Sequence, residues 1–139
     1  MRQWAAAAGA LILVACVSSP ASTGNVDLDA GRDVFARVCT ACHGAQGGGA
    51  SGPALATVVA TFPACADHMR WVTLGSERWR DEVGPTYGAQ KKEITGAMPS
   101  WESSLTQLEI KQVAAFERFQ FGGVELASAT GDCGLGGGS

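Results

Sequence analysis

Polarity along this chain changes three times. Residues 3–19 form an uncharged run of 17 residues behind a single early cation, Arg2. A polar, small-residue stretch follows to about Asn25. Beyond it, apolar positions recur with helical spacing. Gly31, Val34, Phe35 and Val38 stand at i, i+3, i+4 and i+7, one face of a helix that runs directly into Cys39. Asp27 or Asp29 can cap that helix and place negative charge at its N-terminus. A second helix is marked more fully. Thr106 and Glu109 have capping-box spacing, Leu105 and Ile110 are placed as a hydrophobic staple, and Ile110, Val113, Ala114 and Phe116 supply the apolar face. Gly122 and Gly123 stop it. Between the two, a short helix is predicted around Asp67 to Val72, ended by Gly75. The rest reads as loop: a glycine-dominated stretch at 44–52, a polar segment with Trp79, turns at 84–88, and a flexible tail from Gly131 apart from Cys133. No strand-like alternation of any length and no repeat is present. The pattern predicts an all-α fold.

The N-terminal run has the layout of a secretory signal: one positive charge, a short apolar core, then small residues. It is at the low edge of what spans a bilayer and lacks the positive flank that stops transfer. Leu13, Val14, Ala15 and Cys16 resemble the lipobox of bacterial lipoproteins. That resemblance implies lipidation of Cys16 as the mature N-terminus, with several acyl chains giving stable anchoring. An ordinary cleaved signal and an uncleaved anchor are the alternatives. The expected organisation is a leader at 1–15, a lipidated tether at 16–28, a domain at 29–122 and a C-terminal extension at 123–139. The expected place is the bacterial cell envelope, outside the cytoplasm. What remains after the leader suffices for one domain with one core. The whole chain carries 10 Lys+Arg against 13 Asp+Glu, a formal net charge of −3, and loses a cation with Arg2. That argues against nucleic acid as a partner and is compatible with docking to a basic patch on another protein.

Chemistry concentrates at Cys39, Thr40, Ala41, Cys42 and His43, a C-x-x-C-H sequence. Two thiols three residues apart on a helical turn can add across the two vinyl groups of one porphyrin, and the following imidazole can ligate its iron. A thioredoxin-like thiol pair would want a βαβ context and no histidine. Zinc would want a second pair of ligands at comparable spacing. With Cys16 assigned to lipid and Cys39 and Cys42 to haem, Cys65 and Cys133 remain. In an oxidising compartment they suggest one disulfide, the alternative being two unpaired thiols. The other ligand-competent groups are His68, Met69 and Met98. Met98 is favoured as the second axial ligand, because Gly96 and Pro99 hold it in an extended loop that can press a thioether on iron. Met69 lies inside a predicted helix, where methionine more often packs a core.

The C-x-x-C-H-G sequence, then Gly52, Pro53, Ala54 and Leu55, then Met98, Pro99, Ser100 and Trp101 before a terminal helix, resemble the mono-haem class I cytochromes c over about residues 29–122. The resemblance implies a small helical domain wrapped around one covalently bound haem c. It implies that the Pro53 carbonyl accepts the His43 N–H, and that the first and last helices cross at Gly31, Phe35 and Phe116. It also implies that Trp101 lies near a haem propionate, simple core packing being the alternative. The segment carrying Cys65, Trp71, Trp79 and Tyr87, and the extension carrying Cys133, stand outside the shared motifs. His/Met ligation saturates the iron and raises its potential, which suits electron transfer rather than catalysis. The expectation is therefore a membrane-tethered carrier exchanging electrons with partners such as a quinol–cytochrome c reductase or a terminal oxidase. The alternatives are a haem-binding subunit of a larger oxidoreductase, and a haem enzyme or gas sensor with a labile sixth ligand.

Overall fold

The computed structural model describes residues 22–136. The expected leader and Cys16 lie outside the described residues. Helix α1 spans Val26–Val34. Its cap is Asn25, whose side-chain oxygen accepts the N–H groups of Asp27 at 3.0 Å and Leu28 at 3.1 Å. The helix thus begins before either aspartate expected as its cap and includes the last residues of the expected tether. Asp29 turns instead to the Thr23 N–H at 2.8 Å and to Arg32 at 3.1 Å. The Ser22 hydroxyl, more than those contacts, holds its carboxyl below the usual range.

The chain stays helical to His43 but changes gauge. A π-helical turn covers Phe35–Cys39, followed by α2, Thr40–His43. The π turn adds one residue to the turn that joins the apolar face of α1 to the cysteine pair. Helix α5, Gln107–Gln120, crosses α1 and carries the expected capping box between Thr106 and Glu109. At the crossing, a Cβ on Gly31 would fall 2.0 Å from the Gln112 carbonyl oxygen. Glycine is what permits this approach. Phe35 meets Phe116 at 5.7 Å and Phe121 at 5.0 Å beside it.

A single turn, α3, spans Val58–Thr61, and α4 spans Cys65–Glu82. Gly75 does not end α4. At φ 67°, ψ −180° it kinks the helix, which resumes and carries Trp79. Only glycine takes that conformation without strain, and the loop of Met98 fills the notch. Strands β1, Thr86–Tyr87, and β2, Lys92–Glu93, form a minimal antiparallel hairpin with Tyr87 opposite Lys92. Two-residue strands are too short to show any alternation. Beyond α5, α6 spans Leu126–Asp132, and Cys133 after it is bonded to Cys65 at the start of α4. The expected flexible tail is therefore pinned at Cys133, and Leu135 N–H still donates to Thr130 O at 2.9 Å.

One core cluster joins Val34, Phe35, Leu55, Val72, Ile110, Val113 and Phe116. A second joins Leu28, Ala114 and Ala115 to the disulfide. No helix among the described residues is long and apolar enough to cross a membrane.

Candidate functional site

Between α2, α4, the hairpin and the 94–99 loop lies a cavity of about 860 Å³. Cys39, at the end of the π turn, and Cys42 and His43 of α2 line it from one side, and Met98, Pro99 and Trp101 from the segment after the hairpin. Val38, Leu55, Val58, Phe62, Val72 and Ile94 line much of the remainder.

His43 is held by the backbone of the 52–55 segment. Its Nδ1 lies 2.9 Å from the Pro53 carbonyl oxygen, so Nδ1–H donates and Nε2 is left as the bare, ligand-competent nitrogen. Proline contributes a carbonyl here and no competing N–H. Glycine precedes it for a steric reason: a Cβ at Gly52 would stand 3.1 Å from His43 Cε1. Gly52 N–H in turn donates to the Cys42 carbonyl at 2.8 Å, locking the loop to the cysteine turn.

Cys39 and Cys42 are free thiols. Burial, and secondarily the charge of Glu117, pushes the Cys39 thiol far up, so it is un-ionised at neutral pH. A thiolate is what a redox dithiol or a zinc ligand requires. Among the described residues no group of three or more His, Cys, Asp or Glu could hold a metal ion.

Met98 is positioned through the α4 kink. Ser76 N–H donates to the Met98 carbonyl and Met98 N–H to Ser76 Oγ, both at 2.9 Å, while Ser100 Oγ donates to Thr73 O at 2.7 Å. Trp101 packs on the core cluster containing Cys39, and its backbone N–H donates to Val72 O at 3.3 Å. Met69 packs against both core clusters. His68 lines the cavity, but its Nε2 is committed to Glu117 at 3.0 Å.

Sequence reasoning missed Glu117, and the signal was available. It follows Ile110, Val113 and Ala114 at seven, four and three residues, on the apolar stripe of α5. A carboxylate there is buried by construction. Trp71, Tyr87 and Lys92 also line the cavity without having been singled out as site residues.

The donor set is an imidazole with a bare Nε2, a thioether and the two free thiols of Cys39 and Cys42 beside an apolar slot. This suits a haem c, whose plane needs apolar walls and whose vinyl groups need neighbouring thiols. The family model for cytochrome c oxidase, cbb3-type, subunit III matches residues 26–116. The chain belongs to this family of cytochrome c domains. Its match begins with α1 and ends at Phe116, so α6 and Cys133 lie beyond it. Among solved structures, the chain is similar to cytochrome cL from the marine methylotroph Methylophaga aminisulfidivorans. The identity is 22%, over 70% of this chain and 55% of that one, with a TM-score of 0.48. The chain thus spans little more than half the length of that protein. No curated protein matches. The fold is that of a small all-α cytochrome c domain, and the family's chemistry is electron transfer by haem.

Proposed function

We propose that this cytochrome is an extracytoplasmic carrier of single electrons. Cys39 and Cys42 would hold one haem c through thioethers, and His43 and Met98 would ligate its iron. The observation that carries the reading is the oriented His43, Nδ1 on the Pro53 carbonyl at 2.9 Å, in the same cavity that Met98 lines from the segment after the hairpin.

The bound haem supplies a one-electron couple. His43 presents Nε2 in a fixed ring plane, so little reorganisation accompanies electron transfer. The Met98 thioether, backed by Ser76 and the α4 kink, would serve as the second ligand, a soft donor that favours ferrous iron. Val72, Leu55 and Phe62 exclude water. Trp101, packed on the core cluster at the cavity edge, would lie near a propionate, as the family resemblance implies. Saturation of both positions argues against a haem enzyme or gas sensor. A lipid on Cys16 would keep the carrier at a membrane surface, exchanging electrons with a quinol–cytochrome c reductase or a terminal oxidase. The description of the matching family favours a second reading, in which the domain serves as a haem subunit of such an oxidase.

Redox titration of the purified protein, followed by its absorption spectrum, tests the core of this proposal. A single one-electron wave from haem that survives denaturation on the polypeptide is the expected result. Absence of covalent haem overturns it. Cys16→Ser should release the protein from membranes, and full retention there would remove the anchor from the scheme.

A further inference from the structure

Electron carriage as described gives no role to His68 and Glu117. Both line the cofactor cavity, one from α4 and one from α5, with side chains only 3% and 6% exposed. Nε2–H of His68 donates to the Glu117 carboxylate at 3.0 Å. That assignment leaves Nδ1 as a bare acceptor, and it is buried with no hydrogen-bond partner. Phe62 stacks flat on the ring, 5.4 Å between centroids and 5° between planes, which fixes its orientation. The adjacent cation does not neutralise the pair: Arg118 turns away to the carbonyls of Phe62 at 2.7 Å and Pro63 at 3.0 Å. The Glu117 charge also acts on Cys39, which places the dyad beside the turn that holds the thioether-forming cysteines. Native structures seldom bury a polar nitrogen unpaired without a reason.

We propose that the His68–Glu117 pair is a redox-linked proton site, binding one proton from solvent at His68 Nδ1 as the haem iron passes from ferric to ferrous. An N–H bond forms, the pair becomes imidazolium and carboxylate, and the added electron comes from the redox partner. Oxidation reverses both changes, so charge in the cavity stays balanced. The proposal rests on the haem-carrier reading above. Its physical basis is linkage. An electron placed on a nearby centre in a low-dielectric interior favours a proton on the dyad, and the proton equally favours the electron. The dyad's affinity for a proton is then higher in the ferrous state. The reduction potential therefore falls as pH rises between the ferric and ferrous titration points, and is flat outside them.

Other titratable or charged groups face the same space. Cys39 and Cys42 are consumed as thioethers, and His43 by ligation. Tyr87, Lys92 and Glu93 reach the cavity from the hairpin. Arg118 lies next to the dyad on α5, with Asp132 of α6 at 3.9 Å from it. These groups and the haem propionates supply a background that substitutions in the dyad leave in place.

The test is the midpoint potential of the haem-bearing protein as a function of pH, for the wild type, Glu117→Gln and His68→Gln. The wild type should show a window in which the reduced-to-oxidised ratio falls by up to tenfold per pH unit, about 59 mV for one electron. Both variants should lose most of that slope while keeping the wild-type haem spectrum. An unchanged slope in both variants overturns the proposal. NMR titration of the His68 ring in the wild type, in each redox state, decides the matter even where a variant fails to fold. A higher midpoint in the ferrous protein is the expected result, and equal midpoints refute the coupling. A wild-type protein without covalent haem defeats the carrier reading itself. A haem-bearing protein with a redox-independent His68 defeats only the proton site.

Discussion

Gly75 and Ser76 determine where the Met98 loop can sit. Gly75 holds φ 67°, and a Cβ there would stand 2.5 Å from the Pro99 carbonyl carbon and the Ser100 nitrogen. Those are backbone atoms, so no rotamer change relieves the clash. Gly75→Ala should displace the Met98 loop and act as a milder form of Met98→Ala. In the direct variant the reduced protein should bind carbon monoxide stoichiometrically and its potential should fall, whereas the wild type should bind it weakly. The alanine at 75 should show partial binding with helix content retained by circular dichroism. A Met98→Ala protein that excludes carbon monoxide as well as the wild type does would remove Met98 from the ligand set. Much at this scale was legible in the sequence. The cysteine pair, His43, Pro53 and Met98 stand in short motifs whose spacing reflects direct chemistry. Gly52 was legible as part of a motif, but its cause, a ring atom of His43 at 3.1 Å from a Cβ, was not. Nor was the His68–Glu117 pair, because its members are 49 positions apart and meet only when α4 packs on α5.

At the level of elements, α5 was the most readable, because its start is encoded in four consecutive residues. The Thr106 hydroxyl accepts the Glu109 N–H at 3.2 Å, and the Glu109 carboxylate accepts the Thr106 N–H at 2.9 Å. Arg37, reaching over from the π turn, adds a contact at 2.8 Å that ties the box to the first helix. Thr106→Ala should cost about 1 kcal/mol in urea unfolding at neutral pH. The Thr106 backbone N–H chiefly, and Arg37 after it, hold the Glu109 carboxyl below its ordinary value. A lowered folded-state value means the contribution is fully present above the unfolded-state value. It disappears as pH falls through the folded one. Glu109→Gln should therefore be less stable than wild type near neutrality and converge on it in acid. A difference that persists unchanged at low pH would show that the carboxylate charge is not the cause. The elements that escaped the sequence share a physical feature. The π turn, the continuation of α4 past Gly75 and the two-residue hairpin are set by tertiary contact. In each case the local sequence permits an alternative that packing then rejects.

The whole molecule is closed by a covalent link between the family-matched domain and the extension that follows it. Cys65 opens α4, Cys133 follows α6, and the bond joins residues 68 positions apart. The family match ends before α6, so this strap is an addition to the shared domain. The count of cysteines pointed to the pair. What the count did not reveal is that the extension forms a helix whose Ala129 is fully buried. The strap's effect on stability can be set against a known scale. A link closing a loop of this length removes roughly 4 kcal/mol worth of freedom from the unfolded chain in the chain-entropy model. Structural disulfides are typical of oxidising compartments, which favours the place outside the cytoplasm proposed above. Replacing both cysteines by alanine should lower the unfolding free energy of the haem-bearing protein by about that amount. The proposed haem ligands lie on α2 and the 94–99 loop rather than on the elements the bond joins, so the wild-type spectrum should survive below the new transition. The His68 ring should respond differently, because it sits one turn along the helix that the bond anchors. Its titration in the unstrapped protein should broaden or shift while the haem absorption stays constant. A stability loss under about 1 kcal/mol would show that α6 is held by packing alone. It would leave Cys65 and Cys133 without the structural role assigned to them.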